Sequence, residues 1–230
     1  MKTSQREKKQ QYLVLVAHPD DETLFFSSIL FKYKQLCKVI CVTDGNADGL
    51  GQDRQSQFKL ACSNFGVKTP EIWNFPDKFD ARIDTAQLEA RLLQLPRFKS
   101  VFTHGVLGEY GHPHHQDVCF AAHRAFAKKS PVYSVTYNNF PELRISLNKS
   151  QYTIKTKILT DIYHSEIRRF VNFVPATYTE GFSKVGLNEI EEIYGRLSSK
   201  TPINFRKLKS YHWLAKLLQD GDYVLPQRPF

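Results

Sequence analysis

Residues 12–43 read YLVLVAHPDDETLFFSSILFKYKQLCKVICVT, and this stretch decides the fold. Residues 12–17 and 38–43 form apolar runs with the length of buried strands, while residues 23–36 between them show helical apolar spacing. A strand, a helix and a second strand in this order predict a βαβ unit with parallel strands. The first strand runs into a histidine, a proline and three carboxylates, so a positive charge is expected among them.

The alternation of strands and helices continues to residue 137. Further strands are predicted at residues 71–75, 100–104 and 131–137, and further helices at residues 53–66, 84–95 and 114–129. Asp84 is placed to cap the helix that it begins. This alternation is typical of an α/β, Rossmann-like fold, in which a mostly parallel sheet carries helices on both faces.

The last third of the chain is less regular. ELRISL (residues 142–147) predicts a strand, and ILTDIYHSEIRRFVNF (158–173) and GLNEIEEIYGRL (186–197) predict helices. Since no Pro/Ser-rich linker separates this part from the sheet, we predict a basic tail over residues 1–11 and a single domain over residues 12–230. The C-terminal third is expected to shape the substrate pocket.

The composition indicates a globular protein, with 41% hydrophobic residues over 230 positions. No apolar run approaches the roughly 18–20 residues of a membrane-spanning helix, and the start, MKTSQREKKQQ, lacks the apolar core of a signal peptide. These features predict a cytoplasmic protein. The four cysteines form no C-x-x-C pair, so neither disulfides nor a thiolate zinc site is expected.

The formal net charge of +9 is dispersed along the chain and leaves two interpretations open. In the first interpretation, the positive residues form a solvated basic surface. In the second, they favour an anionic substrate or peripheral contact with a membrane surface. No nucleic-acid-binding module is visible in the sequence, so nucleic acid is not an expected partner.

Ionisable residues follow each of the first four predicted strands. In open α/β sheets, ligands bind outside the carboxyl ends of the strands, so these side chains are expected to meet at one edge. They are His18, Asp20, Asp21 and Glu22 after the first strand, Asp44 after the second, Asp77 after the third, and His104, His112, His114 and His115 at the end of the fourth and beyond it.

Histidines and carboxylates at one edge predict a metal site. Two histidines and one carboxylate leave a position open for water, as in catalytic zinc centres, and a further carboxylate and imidazole can then act as base and oxyanion donor. Taken alone, HPDD could be a turn with a helix-capping aspartate, and HPHH a solvated loop. A non-catalytic nucleotide-binding domain would need a glycine-rich loop where AHPDDE stands.

Four motifs resemble the LmbE-like/PIG-L family of zinc-dependent sugar N-deacetylases. They are AHPDDE (17–22), TDG (43–45), LGQDRQSQF (50–58) and GEYGHPHH (108–115). The resemblance implies a Rossmann-like sheet, one Zn²⁺ per chain, with Fe²⁺ as an option, and hydrolysis of an N-acetyl amide. The implied substrate is an N-acetylated amino sugar of the GlcNAc type in a glycoconjugate; the alternative is a non-sugar amide.

The resemblance also implies roles for single residues. His18, Asp21 and His115 match the zinc ligands of the family. Asp20 matches the general base that activates the attacking water. Glu22, in contrast, is interpreted as a structural residue at the start of the first helix, where the helix dipole favours it.

Four further positions match family residues around the reacting group. His112 matches the histidine that supports the tetrahedral intermediate and the leaving amine, and Tyr110 matches a mobile tyrosine near the oxyanion. Arg54 and Asp77 match residues that contact sugar hydroxyls. The sequence departs from the family at His114, where many members carry an aspartate, so the control of the neighbouring histidine is expected to differ.

Overall fold

The structure is a computed structural model that describes residues 10–169 and 176–220. Most of the predicted basic tail, residues 1–9, lies outside the described residues, as do residues 170–173 of the helix predicted over 158–173. The last ten positions, 221–230, lie outside them too.

One mixed sheet organises the described chain. Its order is β3-β2-β1-β4-β5-β7-β6, with parallel pairing from β3 to β5 and antiparallel pairing of β5 with β7 and of β7 with β6. The strands are β1 Tyr12–Val16, β2 Cys37–Thr43, β3 Glu71–Phe75, β4 Ser100–Thr103, β5 Val132–Val135, β6 Leu143–Ser146 and β7 Thr179–Ser183. The predicted α/β, mostly parallel sheet is confirmed.

Helices connect the parallel strands and cover the sheet. They are α1 Asp21–Tyr33, α2 Gly51–Asn64, α3 Thr85–Leu93, α4 Pro113–Phe126, α5 Lys149–Lys157, α6 His164–Arg169, α7 Leu187–Ser199 and α8 Ala215–Asp220. Asp84 caps α3, as predicted, by accepting a hydrogen bond from the Gln87 N–H. The single helix predicted from residue 158 is wrong, because a π-helical turn, Ile158–Ile162, precedes α6.

The two faces of the sheet carry separate apolar cores, which confirms the predicted helices on both faces. Along β1, Val14 and Val16 pack into the core beneath α1 and α2, whereas Leu13 and Leu15 pack into the core beneath α3 and α4. The alternation follows from the two-residue period of a strand, and both faces are apolar because both are buried.

A buried ion pair fastens the C-terminal part of the chain to α1. Lys155 Nζ lies 2.7 Å from Glu180 Oε1 and donates to the Leu24 carbonyl at 2.8 Å. Glu180 Oε2 accepts a hydrogen bond from the Ser28 N–H at 2.8 Å. The helix α1, whose first turn carries Asp21 and Glu22 of the AHPDDE motif, is therefore held by α5 and β7. Over residues 10–169 and 176–220, no helix is long and apolar enough to cross a membrane.

Candidate metal centre and active site

The loop after β1 places the first group of ionisable side chains. Asp20 lies at a left-handed φ of 116°, a conformation that costs free energy for a non-glycine residue. Its N–H donates to Glu22 Oε2 at 3.0 Å, and the His18 N–H donates to Asp21 Oδ2 at 2.8 Å. The Asp20 carboxylate accepts no capping hydrogen bond from the described residues of α1. The helix-capping interpretation of Asp20 is therefore wrong, and its side chain is available for another role.

The loop before α4 places the second group. Pro113 occupies the first turn of α4, where its missing N–H is not needed. His112 caps the helix, its Nδ1 accepting a hydrogen bond from the His114 N–H at 3.2 Å. Gly108 has a φ of 73°, and a Cβ there would lie 2.4 Å from the His112 carbonyl oxygen, so only glycine fits this turn.

The three predicted metal ligands meet at one point. His18 Nδ1 lies 3.3 Å from His115 Nε2 and 3.4 Å from Asp21 Oδ2, and His115 Nε2 lies 3.4 Å from Asp21 Oδ1. In a tetrahedral zinc site with bonds of about 2.0–2.1 Å, neighbouring ligand atoms lie about 3.3–3.4 Å apart. The donor set fits Zn²⁺, and two histidines with one carboxylate also suit Fe²⁺.

The charge states of His115 and Asp21 suit a metal, whereas His18 would have to give up a proton to bind one. Despite burial, the charge of Asp77 and the hydrogen bond with Asp21 raise the pKa of His18 to about 9. His115 Nδ1 lies 2.6 Å from Glu109 Oε2, so the proton of the neutral ring lies on Nδ1 and the Nε2 lone pair faces His18 and Asp21. Burial lowers the pKa of His115 to about 4, which leaves this ring neutral at pH 7. Burial opposes ionisation of Asp21, but the imidazoles of His115 and His104 hold its pKa well below the usual value.

Two other histidines lie near the same point, but their hydrogen bonds exclude them as ligands. His104 Nε2 lies 3.3 Å from Asp21 Oδ2, yet its lone pair accepts the Ala17 N–H at 2.9 Å. The ring of His112 lies 4.6 Å from that of His115, but its Nδ1 accepts the His114 N–H, so its Nε2 carries the proton. The atoms that converge at this point are His18 Nδ1, the Asp21 carboxylate oxygens and His115 Nε2.

Sequence reasoning missed Glu109, which lies beneath the site. Its buried carboxylate lies within hydrogen-bond distance of His115 Nδ1 and His104 Nδ1 and accepts the Gly105 N–H. Despite its burial, the neighbouring imidazoles of His104 and His115 lower the pKa of Glu109 to about 2. A carboxylate that accepts the second N–H of a metal-binding histidine fixes the ring and raises its basicity. The motif GEYGH was the only sequence signal for Glu109. The contacts of this residue depend on the turn at Gly108, which the motif alone does not predict.

Asp20 and Arg54 form a second part of the site. Arg54 Nη2 lies 3.5 Å from Asp20 Oδ2 and from Glu166 Oε2, and it donates to the Pro19 carbonyl at 3.1 Å. Burial and the charge of Asp21 raise the pKa of Asp20 well above its usual value, although Arg54 opposes them. Arg54 is buried. Its predicted contact with sugar hydroxyls stays a prediction.

Asp77 lines a surface cleft beside the centre, and Tyr110 lies at the exposed edge of the centre. Asp77 is one of the residues that line an open cleft of about 650 Å³, together with Asp44, Asn46, Ala47, Pro76, Lys78, Phe79 and Asp80. The ring of Tyr110 is 54% exposed, and its centroid lies 5.4 Å from that of His115. Tyr110 thus stands at the rim of the centre.

Glu22 has the structural position expected of it. Its fully buried carboxylate accepts hydrogen bonds from the Asp20 N–H, the Thr23 hydroxyl and the Tyr163 hydroxyl. These bonds hold the strained Asp20 backbone and join α1 to the turn before α6.

The sequence matches relatives of known name over its first half. Residues 13–126 match the family model "PIG-L: GlcNAc-PI de-N-acetylase". A probable N-acetylglucosaminyl-phosphatidylinositol de-N-acetylase of Schizosaccharomyces pombe is 27% identical over 55% of this chain and 55% of its own length. A probable enzyme of the same name from Dictyostelium discoideum is 28% identical over 53% of this chain and 52% of its own. The chain spans about half the length of the curated relatives it matches.

Solved structures share the fold at low identity. The N,N'-diacetylchitobiose deacetylase of Pyrococcus horikoshii superposes with a TM-score of 0.58 at 17% identity, over 77% of this chain and 84% of its own. GalB, a 4-carboxy-2-hydroxymuconate hydratase, superposes with a TM-score of 0.51 at 16% identity, over 76% of this chain and 96% of its own. The fold therefore carries more than one reaction, whereas the match over residues 13–126 includes the AHPDDE and GHPHH motifs. Residues 13–126 of this chain form a domain of the PIG-L family.

Proposed function

We propose that this protein is a metal-dependent hydrolase that removes the N-acetyl group from a GlcNAc-type amino sugar of a glycoconjugate. The observation that carries the proposal is the convergence of His18 Nδ1, Asp21 and His115 Nε2 at 3.3–3.4 Å from one another. The names of the relatives support the reaction class and the sugar.

His18, Asp21 and His115 would hold the ion. A zinc ion there would act as a Lewis acid, polarising the acetamide carbonyl and making a water molecule more acidic. The chain holds these three side chains in place, because Glu109 orients His115 and the loop after β1 orients His18 and Asp21.

Asp20 is the proposed general base. Its pKa is raised by burial and by Asp21, so its proton affinity is closer to that needed for proton transfer at neutral pH. Asp20 removes the proton from the attacking water and delivers a proton to the departing sugar amine. Arg54 stands beside it and limits the rise of its pKa.

His112 is the proposed oxyanion donor. Because its Nδ1 accepts the His114 N–H, the proton of the neutral ring lies on Nε2, the nitrogen that would donate to the oxyanion. Such a bond strengthens as charge develops on the carbonyl oxygen, which lowers the barrier. Tyr110, at the rim, is proposed to assist by donating its hydroxyl to the same oxygen.

The cleft next to Asp77 is the proposed sugar subsite. Asp77 and the buried Arg54 would accept from and donate to sugar hydroxyls, and the net charge of +9 favours an anionic glycoconjugate. The predicted cytoplasmic location stays a prediction, as does peripheral contact with a membrane.

The test is acetate release by the full chain, loaded with zinc, from three acetamides. The panel contains an N-acetylglucosaminyl phosphatidylinositol, N,N'-diacetylchitobiose and an N-acetyl amino acid. The proposal predicts release from a sugar substrate and a loss of about 10²-fold or more in Asp20→Asn. Asp53→Asn, the same change at an exposed position on α2, is the matched control and keeps activity. Release from the amino acid alone would instead show a non-sugar amidase.

A further inference from the structure

A second cluster of donor atoms lies on the far side of the His18 ring. His18 Nε2 lies 3.1 Å from His114 Nδ1 and 3.6 Å from Asp77 Oδ1, and His114 Nδ1 lies 3.3 Å from Asp77 Oδ1. The three side chains are at most 6% exposed. These distances are close to the ligand separations of a tetrahedral zinc site, about 3.3–3.4 Å.

The lone pair of His114 is directed into this cluster. Its Nε2 lies 2.8 Å from the Ala81 carbonyl oxygen, which only accepts hydrogen bonds. The proton of the neutral ring therefore lies on Nε2, and Nδ1 faces His18 and Asp77 with an open lone pair. His104 and His112 differ, because a backbone N–H occupies the corresponding lone pair in each.

Asp77 supplies an independent observation. Its side chain is 1% exposed, yet neither carboxylate oxygen accepts a hydrogen bond from the described residues. Buried carboxylates are normally hydrogen-bonded, whereas Asp77 has only ion-pair contacts, with His18, His114 and Arg54, and none of them has hydrogen-bond geometry. Arg54 Nη1, at 3.7 Å from Oδ2, balances part of the charge but leaves Oδ1 facing the two imidazoles.

A hydrogen bond between His18 and His114 accounts for fewer of these contacts than a bound cation does. If His18 Nε2 kept its proton, it would donate to His114 Nδ1 at 3.1 Å, and Asp77 would keep only ion-pair contacts, with His18 at 3.6 Å and Arg54 at 3.7 Å. A divalent cation would use the lone pair of His114, the carboxylate of Asp77 and the second nitrogen of His18 together.

We propose that His18 Nε2, Asp77 and His114 Nδ1 form a second site for a divalent cation of the zinc class, with the His18 imidazole bridging it to the first. The site rests on the first metal centre proposed above, but not on the reaction. Binding releases the proton of His18 Nε2 to solvent, since the bridging ring uses both nitrogens. Because Asp77 is also a predicted sugar contact, the second ion and the sugar would compete for it.

The experiment counts ions on the full chain. Metal-stripped protein is dialysed against excess Zn²⁺, freed of loosely held metal, and measured by elemental analysis. We expect two ions per wild-type chain, and one in each of Asp77→Asn and His114→Ala. Asp80→Asn, the same change at an exposed residue lining the same cleft, is the matched control and keeps two. Circular dichroism melting shows that each variant is folded.

The second site is overturned if the wild type saturates at one ion, or if both variants still hold two. Activity is measured separately. One ion with acetate release would keep the proposed function and overturn the second site, whereas two ions without acetate release would do the opposite.

Discussion

Glu109 Oε2 lies 2.6 Å from His115 Nδ1, at the nitrogen opposite the one that faces His18 and Asp21. The contact joins a metal-facing imidazole to a buried carboxylate. It fixes which nitrogen carries the proton and how the ring is turned.

Replacing Glu109 by glutamine should weaken zinc binding. Glu109→Gln keeps the shape but removes the charge that makes His115 a stronger ligand, so we expect affinity to fall about 10- to 100-fold. Competition with a chromogenic chelator measures this. Glu142→Gln, the same change at an exposed position, should bind like the wild type. Equal affinity in the two variants would show that Glu109 does not act on the metal.

Replacing Arg54 should shift the pH dependence of activity. Arg54 opposes the rise of the Asp20 pKa caused by burial and Asp21, so Arg54→Met should raise that pKa further. A base with a higher pKa is protonated up to a higher pH, so the acid limb of the kcat/KM profile should move to higher pH. Arg54→Lys keeps a cation and should shift the limb less. If the acid limb of the kcat/KM profile stays at the same pH in Arg54→Met, the pKa of Asp20 does not determine that limb.

Breaking the buried ion pair of Lys155 and Glu180 should destabilise the fold. Lys155→Met leaves a buried carboxylate without its partner, a change that costs about 3–5 kcal/mol of unfolding free energy. Urea denaturation measures the loss. Lys157→Met, at an exposed position on the same helix, should change stability little. A Lys155→Met chain as stable as this control would contradict the assigned role.

Gly108→Ala should lower the stability of the chain, whereas Gly195→Ala should not. At Gly108 a Cβ would meet the His112 carbonyl oxygen at 2.4 Å and φ is 73°, so alanine strains the loop that carries His112. At Gly195, within α7, the nearest contact would be 3.7 Å, and alanine is a better helix former by about 1 kcal/mol. Melting temperature should fall in the first variant and rise or stay unchanged in the second. A Gly108→Ala chain with unchanged melting and metal affinity would contradict the steric argument.

The sequence predicts the parallel half of the fold because its signals are local. Each strand from β1 to β4 is rich in apolar residues and is followed by a helix that apolar spacing or an aspartate near its start predicts, and β5 is an apolar run followed by β6. Among the described residues, three helices and strands were missed: β7, α5 and α8, the last of which is only six residues long. β7, TEGFS, is short and contains a glycine, and α5 is dominated by polar residues and stabilised by its cap at Asn148 and by Lys155 inside the core.

At the site, the motifs predicted which residues converge but not what holds them. The distances among His18, Asp21 and His115 fit the predicted ligand set, although their role as ligands stays a prediction. The hydrogen bond from Ala17 to His104 depends on how β1 and the end of β4 meet at the sheet edge. Glu109 reaches His115 only because the chain turns at Gly108. Such contacts arise from tertiary geometry, which no single motif encodes.

The central claim is that an ion bound at His18, Asp21 and His115 is required for deacetylation. Its most direct test is to titrate Zn²⁺ into metal-stripped chain and follow acetate release from both sugars of the panel, an N-acetylglucosaminyl phosphatidylinositol and N,N'-diacetylchitobiose. We predict no release without metal and a rise in activity with the first equivalent, which His115→Ala abolishes. Equal activity of the stripped and loaded chains, or no release by a loaded and folded chain, would contradict the account.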